Sequence, residues 1–464
     1  MWVTAPKALD TPHVPPRIFG PEYRTATVGI LLVITLIAFE GMSVGVVMPD
    51  VAKDLDALNL YGISFSAFLI ASLFANVVAG LWSDRRGYPV PFLTGVLLFV
   101  AGMALAGAAT TSALFLVARA VQGLGAGASI VALLVMIARV YPENVRPKAF
   151  AAVSAAWVVP AMVGPAVAGF VGTQWGWRYV FYGIIPLVVP ALAMLLPALR
   201  MSGSAPQAEP SGGPRSRPLA MTLAATAAAG GAGLLLYGVD RLHLHLVSGA
   251  VETVAGLALL LYGLYRLLPP GALRFRRGLP TTVLMRGFFS AAFFGVNSFI
   301  PLVLQEVKSF EAGAAGIALT TGALGWSAGS YLQSKQDGMA YRRIRLGAGC
   351  VAAGILICLA SVLPGVSGWI AVPAWIVAGF GMGFGMTTVS VTALRQSPLN
   401  EQGANSAALS VSDMLGSALA IGVGGALVNL IGHSSAEIAT GFVVISLLMA
   451  AIALSATFLA GRTR

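Results

Sequence analysis

A carboxylate in the middle of a long apolar run is the first residue in this chain that could do chemistry. Glu40 lies in Ala38-Phe39-Glu40-Gly41-Met42-Ser43, with apolar residues on both sides. A carboxyl group withdrawn from water is costly and usually faces a cavity or a partner. It can also take up and release a proton. A permanently neutral, hydrogen-bonded structural carboxyl is the alternative. Arg119 sits inside a second apolar run, in Arg119-x-x-Gln122-Gly123-x-Gly125. An arginine keeps its charge, so it needs an acidic partner or a water-filled cavity. On a helix, Arg119, Gln122, Gly123 and Ala126 share one face. A purely structural clamp is the competing reading. Asp413, in Ser410-Val411-Ser412-Asp413, is the second intramembrane carboxylate. It could share proton duty with Glu40, pair with Arg119, contact a cationic substrate, or be held structurally through Ser410 or a neighbouring helix. Asn297 and Gln305, with Phe293, Phe294 and Trp326, could line a substrate pocket, although aromatic stripes also serve plain helix packing.

These residues need elements that hold them in lipid. The chain has 464 residues, 57% hydrophobic and 10% charged, against about 25% charged in a soluble domain. A bilayer core of about 30 Å takes roughly 20 helical residues to cross, and backbone in lipid must satisfy its own hydrogen bonds. The expected fold class is therefore an all-α polytopic membrane protein. Apolar runs predict fourteen spans, at about 25–49, 60–82, 89–110, 113–140, 147–172, 178–198, 219–239, 246–267, 281–305, 312–334, 344–363, 368–395, 402–431 and 436–460. The first 24 residues are polar and Pro-rich, and Ser202–Pro218 reads as a flexible linker rich in Ser, Gly and Pro.

The net charge of +11 needs no nucleic acid to explain it. With both termini cytoplasmic, inside segments carry 23 of the 28 Lys and Arg. Outside segments carry four (Lys53, Arg178, Arg241 and Lys308), and Arg119 lies within a span. This is the positive-inside pattern. It predicts a multi-pass protein of the inner or plasma membrane. Cys350 and Cys358 share one predicted helix and are too far apart along it to bond each other. His13, His243, His245 and His433 fall in tails or loops, so no metal site is expected. There is no Walker loop, and the Gly-rich runs at Gly123 and Gly379 do not follow strands. No enzyme is predicted, and no cofactor.

Residues 119–157, moved by 256 positions, fall on 375–413 without a gap. Gly123, Gly125 and Gly127 meet Gly379, Gly381 and Gly383. Pro142 meets Pro398, Asn144 meets Asn400, and Ser154 meets Ser410. Trp375 stands where Arg119 does. The repeat predicts a six-helix bundle over 25–200 and a second over 281–460. The segment 201–280 would supply a linker and two extra spans, read as a lipid-facing addition. Such repeats suit alternating access around a central site.

Between spans two and three stands an island of charge, Gly80-Leu81-Trp82-Ser83-Asp84-Arg85-Arg86-Gly87-Tyr88. Its glycines permit a sharp reversal. Gly80-x-x-x-Asp84-Arg85-x-Gly87 resembles the loop 2–3 signature of the major facilitator superfamily, with Tyr88 where a basic residue is usual. The run from Arg119 to Gly125 resembles that superfamily's fourth-helix motif, whose arginine is implicated in proton coupling. Pro160-x-x-x-Gly164-Pro165-x-x-x-Gly169 resembles the antiporter motif of its exporters, with Pro160 and Ala168 where glycine is usual. Glu40 followed by Pro49 is similar to the first helix of its fourteen-helix drug–proton antiporters. The resemblance implies the major facilitator fold. It also implies export of hydrophobic or cationic small molecules in exchange for protons, by a chain that can act as a monomer in the bilayer. Glu40, Arg119 and Asp413 would serve proton coupling. Gly80, Asp84, Arg85, Gly87, Gln122, Gly123, Gly164 and Pro165 would serve the conformational change. An uptake symporter or lipid flippase of the same fold, and a receptor that binds without transport, are the alternatives.

Overall fold

The computed structural model describes residues 18–56, 58–200, 218–242, 244–335, 338–398, 401–432 and 434–464. The tail through residue 17, the linker at 201–217, His13, His243, His433 and Asn400 lie outside the described residues. The described chain is helical throughout. Its helices are α1 (Arg24–Asp54), α2 (Tyr61–Arg86), α3 (Pro89–Gly107), α4 (Ser112–Val140), α5 (Arg146–Ala155), α6 (Val158–Trp175), α7 (Arg178–Tyr182), α8 (Ile185–Arg200), α9 (Pro218–Arg241), α10 (Leu246–Leu267), α11 (Leu279–Asn297), α12 (Ile300–Glu306), α13 (Ala312–Lys335), α14 (Ala340–Cys358), α15 (Ala371–Gln396), α16 (Gln402–Ile431) and α17 (Ser435–Leu459).

Thirteen helical segments among the described residues are long and apolar enough to cross a membrane. The 24-residue α13 is also long enough, but it is diluted by Gly, Ser and Thr. Three predicted spans are broken, each two to four residues before a proline. Pro160, Pro186 and Pro301 offer no N–H to the carbonyls of Ala156, Tyr182 and Asn297, and their rings crowd those carbonyls. The breaks fall at 156–157, 183–184 and 298–299.

The helices pack in two similar sets. Helix α4 lies against both α2 and α3, and α15 lies against both α13 and α14. The glycine repeat explains the likeness. A β-carbon at Gly123 or Gly127 would collide with the carbonyls of Phe68 or Ser72 in α2, and one at Gly125 with the α3 backbone at Phe99. In the second set, Gly379 and Gly383 press on the carbonyls of Gly322 and Trp326 in α13, and Gly381 presses on Gly347 in α14. Small residues let membrane helices approach this closely. Around these contacts, Ile34, Phe92, Met136 and Leu195 bury a core shared by α1, α3, α4 and α8. Helix α11 packs on α16 and α17 in the other set.

Contacts between the sets gather at the end where α1 finishes and α2 begins. Lys53 Nζ lies 2.7 Å from Glu306 Oε1. Gln305 Nε2 donates to the Val46 carbonyl at 3.0 Å, Tyr61 OH to the Ser298 carbonyl at 2.8 Å, and Ser66 Oγ to the Ala418 carbonyl at 2.7 Å. Gly62 meets Gly425, and Gly169 meets Gly313, backbone to backbone. At the other end, much of α5 and of the first turns of α16 is exposed.

Helices α9 and α10 form a hairpin that is not simply lipid-facing. Helix α9 packs on α2 and on α16, across the seam between the sets. Leu236 is buried against Gly422, and Asn429 Nδ2 donates to Asp240 Oδ1 at 2.8 Å. Helix α10 is the exposed member, with Val247, Val251, Val254 and Tyr265 outward.

Candidate functional site

Glu40 lies near the middle of α1 and is fully buried, as is Gln122; Arg119 is 2% exposed. Arg119 Nη1 donates to Glu40 Oε1 and, at 2.6 Å, to Gln122 Oε1. The guanidinium stands 4.6 Å from the centre of the Phe68 ring. Three helices therefore build this centre: α1 gives the acid, α4 the arginine and amide one helical turn apart, and α2 the aromatic face. The close approach of α4 to α2 at Gly123 brings Phe68 within reach. Glu40 Oε2, Arg119 Nε and Gln122 Nε2 have no hydrogen-bond partner among the described residues. Buried polar atoms are rarely left so. The carboxyl thus keeps one oxygen on the arginine and one open.

A second charged centre stands in the other set. Asp413 does not pair with Arg119; α16 packs closely on α11, which supplies its partner. Its partner is Arg286, whose Nε and Nη2 donate to Asp413 Oδ2 at 3.1 and 2.9 Å. Ser290 Oγ donates to Oδ1, and Arg286 Nη1 donates to Ser390 Oγ at 2.6 Å. Ser410 does not hold the acid; its hydroxyl donates to the Ser406 carbonyl at 3.2 Å. The two charged side chains are 25% and 23% exposed, in contrast with the buried pair in the first set. Arg286 is the functional candidate that the sequence reading missed. It stands seven residues into α11, close enough to a span end to pass as a loop charge. The one signal was an arginine inside a predicted span.

Phe293, Trp326 and Asn297 do come together. The Phe293 ring stacks on Trp375 at 5.0 Å and meets Trp326 edge-on at 5.8 Å. Trp375 Nε1 donates to Asn297 Oδ1 at 2.9 Å. Under the 256-residue shift Trp375 replaces Arg119, and Asn297 falls on Gly41, beside Glu40. Each set thus has a polar contact from its first helix to the start of the repeat, ionic at Glu40–Arg119 and neutral at Asn297–Trp375. Gln305 is not part of this cluster; it sits at the seam on Val46.

The Asp84 loop closes on Gly87, whose φ of +80° is a region L-residues rarely adopt. Asp84 and Arg85 are exposed in the last turn of α2, while Arg139 Nη2 reaches the Ser83 carbonyl at 3.5 Å. No carboxylate–cation pair involving Asp84 forms among the described residues. Tyr88 explains its own departure from the motif: it is buried, and its hydroxyl donates to the Ala198 carbonyl at 2.7 Å. Gly80 has open contacts, with only Val131 nearby. Gly164 faces Ser43 of α1, and the Pro165 carbonyl faces Gly316 of α13. This stretch of α6 is therefore wedged between the two sets.

The family model of the Major Facilitator Superfamily matches residues 30–421. The chain is similar to the multidrug transporter protein MdtP of Bacillus subtilis, 24% identical over 309 residues that cover 63% of this chain and 54% of that protein. It is 25% identical to the multidrug efflux pump SdrM of Staphylococcus aureus over 174 residues, 36% of this chain and 38% of that one. The matches thus span about half or less of these relatives' length. Among solved structures, a peptide transporter POT in complex with sulfate aligns with a TM-score of 0.68 at 15% identity, covering 95% of each chain. A bacterial homolog of the human lysosomal transporter Spinster, inward-facing and occupied, aligns with a TM-score of 0.62 at 14% identity, covering 96% of this chain and 98% of that one. At such identities these structures share the fold alone.

Proposed function

Because the chain belongs to the Major Facilitator Superfamily, a family of transporters and not of enzymes, we propose that this multi-pass membrane protein is a proton-coupled exporter of hydrophobic or cationic small molecules. The observation that carries the reading is the buried Glu40–Arg119–Gln122 centre with its open carboxyl oxygen. The similarity to proteins named as multidrug transporters supports the substrate class.

In this reading the two sets are six-helix bundles over 25–200 and 281–460, with the α9–α10 hairpin between them and fourteen spans in all. Both termini face the cytoplasm, and the protein sits in the plasma (inner) membrane. The closed end then faces outward and the exposed end inward. The proton gradient supplies the energy. Glu40 Oε2 takes a proton from outside. Arg119 balances the carboxylate when that proton leaves inward. Asp413 is the second proton candidate, held by Arg286 until a proton or a cationic substrate competes for it. The Phe293, Trp326 and Asn297 cluster offers an aromatic wall to the substrate. The Asp84 loop and the Gly164-Pro165 stretch, which touches both bundles, govern rocking.

Dye accumulation in sealed inverted vesicles with an imposed pH gradient tests this, using a lipophilic cation. Wild type is expected to accumulate dye, and Glu40→Gln to bind it without gradient-driven accumulation. Equal transport by both would overturn Glu40 as the proton carrier and turn attention to Asp413. Flux driven only by the reversed gradient would replace the exporter with an uptake symporter.

A further inference from the structure

The outer face of α14 and α17 carries a groove of about 510 Å³ that the transport reading does not use. Leu346, Gly349, Cys350, Ala353 and Phe458 line it, and Arg345 lines its end nearest the start of α14. Leu346 and Phe458 are 55% and 80% exposed. On a membrane helix such side chains face acyl chains. A groove of this kind in lipid is filled by hydrocarbon, because its apolar walls offer water little to bind.

Its charged end has a chemistry of its own. Arg342 Nε donates to Tyr341 OH at 3.0 Å, and the Arg464 guanidinium stands 3.7 Å from the centre of the Tyr341 ring. Arg345, one turn further along α14, ties this helix to α17 through the Thr457 carbonyl at 3.1 Å. Two guanidinium groups thus flank one ring, and Arg345, one turn along the same helix, belongs to the groove. None of them forms an ion pair with a carboxylate among the described residues. Clustered arginines beside a span attract anionic lipid, and the guanidinium fork matches phosphate oxygens.

We infer that this groove binds one anionic phospholipid, its acyl chain along α14 and α17 and its phosphate on Arg342, Arg345 and Arg464. The inference shares with the proposed function the placement of this end of the molecule at the cytoplasmic leaflet. It does not depend on transport.

Cys350 provides the readout. It lies half-buried in the groove, whereas Cys358 is buried. The full chain is purified in a neutral detergent, and modification of Cys350 by N-ethylmaleimide is timed by mass spectrometry. Phosphatidylglycerol at ten times its Kd is expected to slow modification roughly tenfold. Phosphatidylcholine with the same chains, and glycerol phosphate alone, are expected to leave the rate nearly unchanged. The protection should vanish in Arg342→Ala/Arg345→Ala. It should persist in Arg342→Lys/Arg345→Lys, which also reports that the site is folded, and in Arg395→Ala, which removes an exposed arginine outside the groove. Equal protection by both lipids, protection by glycerol phosphate, no protection by either lipid, or protection that survives the double alanine variant would overturn the site. A protein that fails to transport dye but shows this pattern keeps the lipid site and loses the exporter reading. The converse result does the opposite.

Discussion

Removing either member of the Glu40–Arg119 pair leaves a charge or an acid in a buried site with nothing to balance it. Breaking such a pair costs about 3–5 kcal/mol, whereas removing both partners together costs much less. Glu40→Gln and Arg119→Gln should therefore each lower the thermal unfolding temperature in detergent. The double variant Glu40→Gln/Arg119→Gln should be more stable than either single. A double variant as damaged as the sum of the singles would show that the two do not act as a pair. The Arg286–Asp413 pair is about a quarter exposed, and water screens it. Asp413→Asn is therefore expected to cost no more than about 1 kcal/mol by the same melting measurement. Glu40 and Arg119 were legible because a charge in a long apolar run has few ways to exist. In the sequence Arg119 reads as steadying the charged form of Glu40 through a shared cavity, but Asp413 stands as its other possible partner, since nothing along the chain says which face of α4 meets α1. Asp413 shows this most plainly. Its acid was visible, but its partner Arg286 lies 127 positions earlier in the chain and at a span end.

At the scale of the helices, apolar run length fixed nearly every element, because lipid leaves the backbone no alternative to helix. The breaks at 156–157 and 298–299 were less legible, since a proline can bend a membrane helix without ending it. What the glycines do is sharper in the structure than in the motif. Gly123→Ala should force α4 away from the Phe68 carbonyl and cost about 1–3 kcal/mol, and its copy Gly379→Ala should behave alike. Gly80→Ala should be nearly silent in stability, because the added methyl meets only Val131 Cγ1 at 3.6 Å. Gly87→Ala should cost about 1–2 kcal/mol through its positive φ. Melting curves of the four variants check the ranking Gly123 and Gly379 at or above Gly87, with Gly80 last. A Gly80→Ala variant as unstable as Gly123→Ala would contradict it.

At the scale of the whole molecule, the repeat announced two alike sets of helices, and the structure adds where they touch. The sequence reading placed the α9–α10 hairpin in lipid. It could not anticipate Asp240 reaching Asn429, because α9 is small-residue and nearly featureless on the face that docks. The seam itself gives a direct test. Gly425→Leu should push α16 off α2 at Gly62 and open the closed end. A cysteine at position 305 should then react faster with an impermeant thiol reagent, by about tenfold for each 1.4 kcal/mol of shift. An unchanged rate would mean that the Gly62–Gly425 contact does not hold this end shut. That seam, where Gly62 meets Gly425 and Gly169 meets Gly313, has no side chains left to shorten. Every substitution there adds atoms, and at Gly62, Gly169 and Gly425 those atoms meet backbone across the seam, so drift at these three positions can only loosen the closure. A lineage that lost this closure through a larger residue could restore it elsewhere by new attraction across the mouth, such as Lys53 on Glu306, but not by trimming the seam again except by returning to glycine.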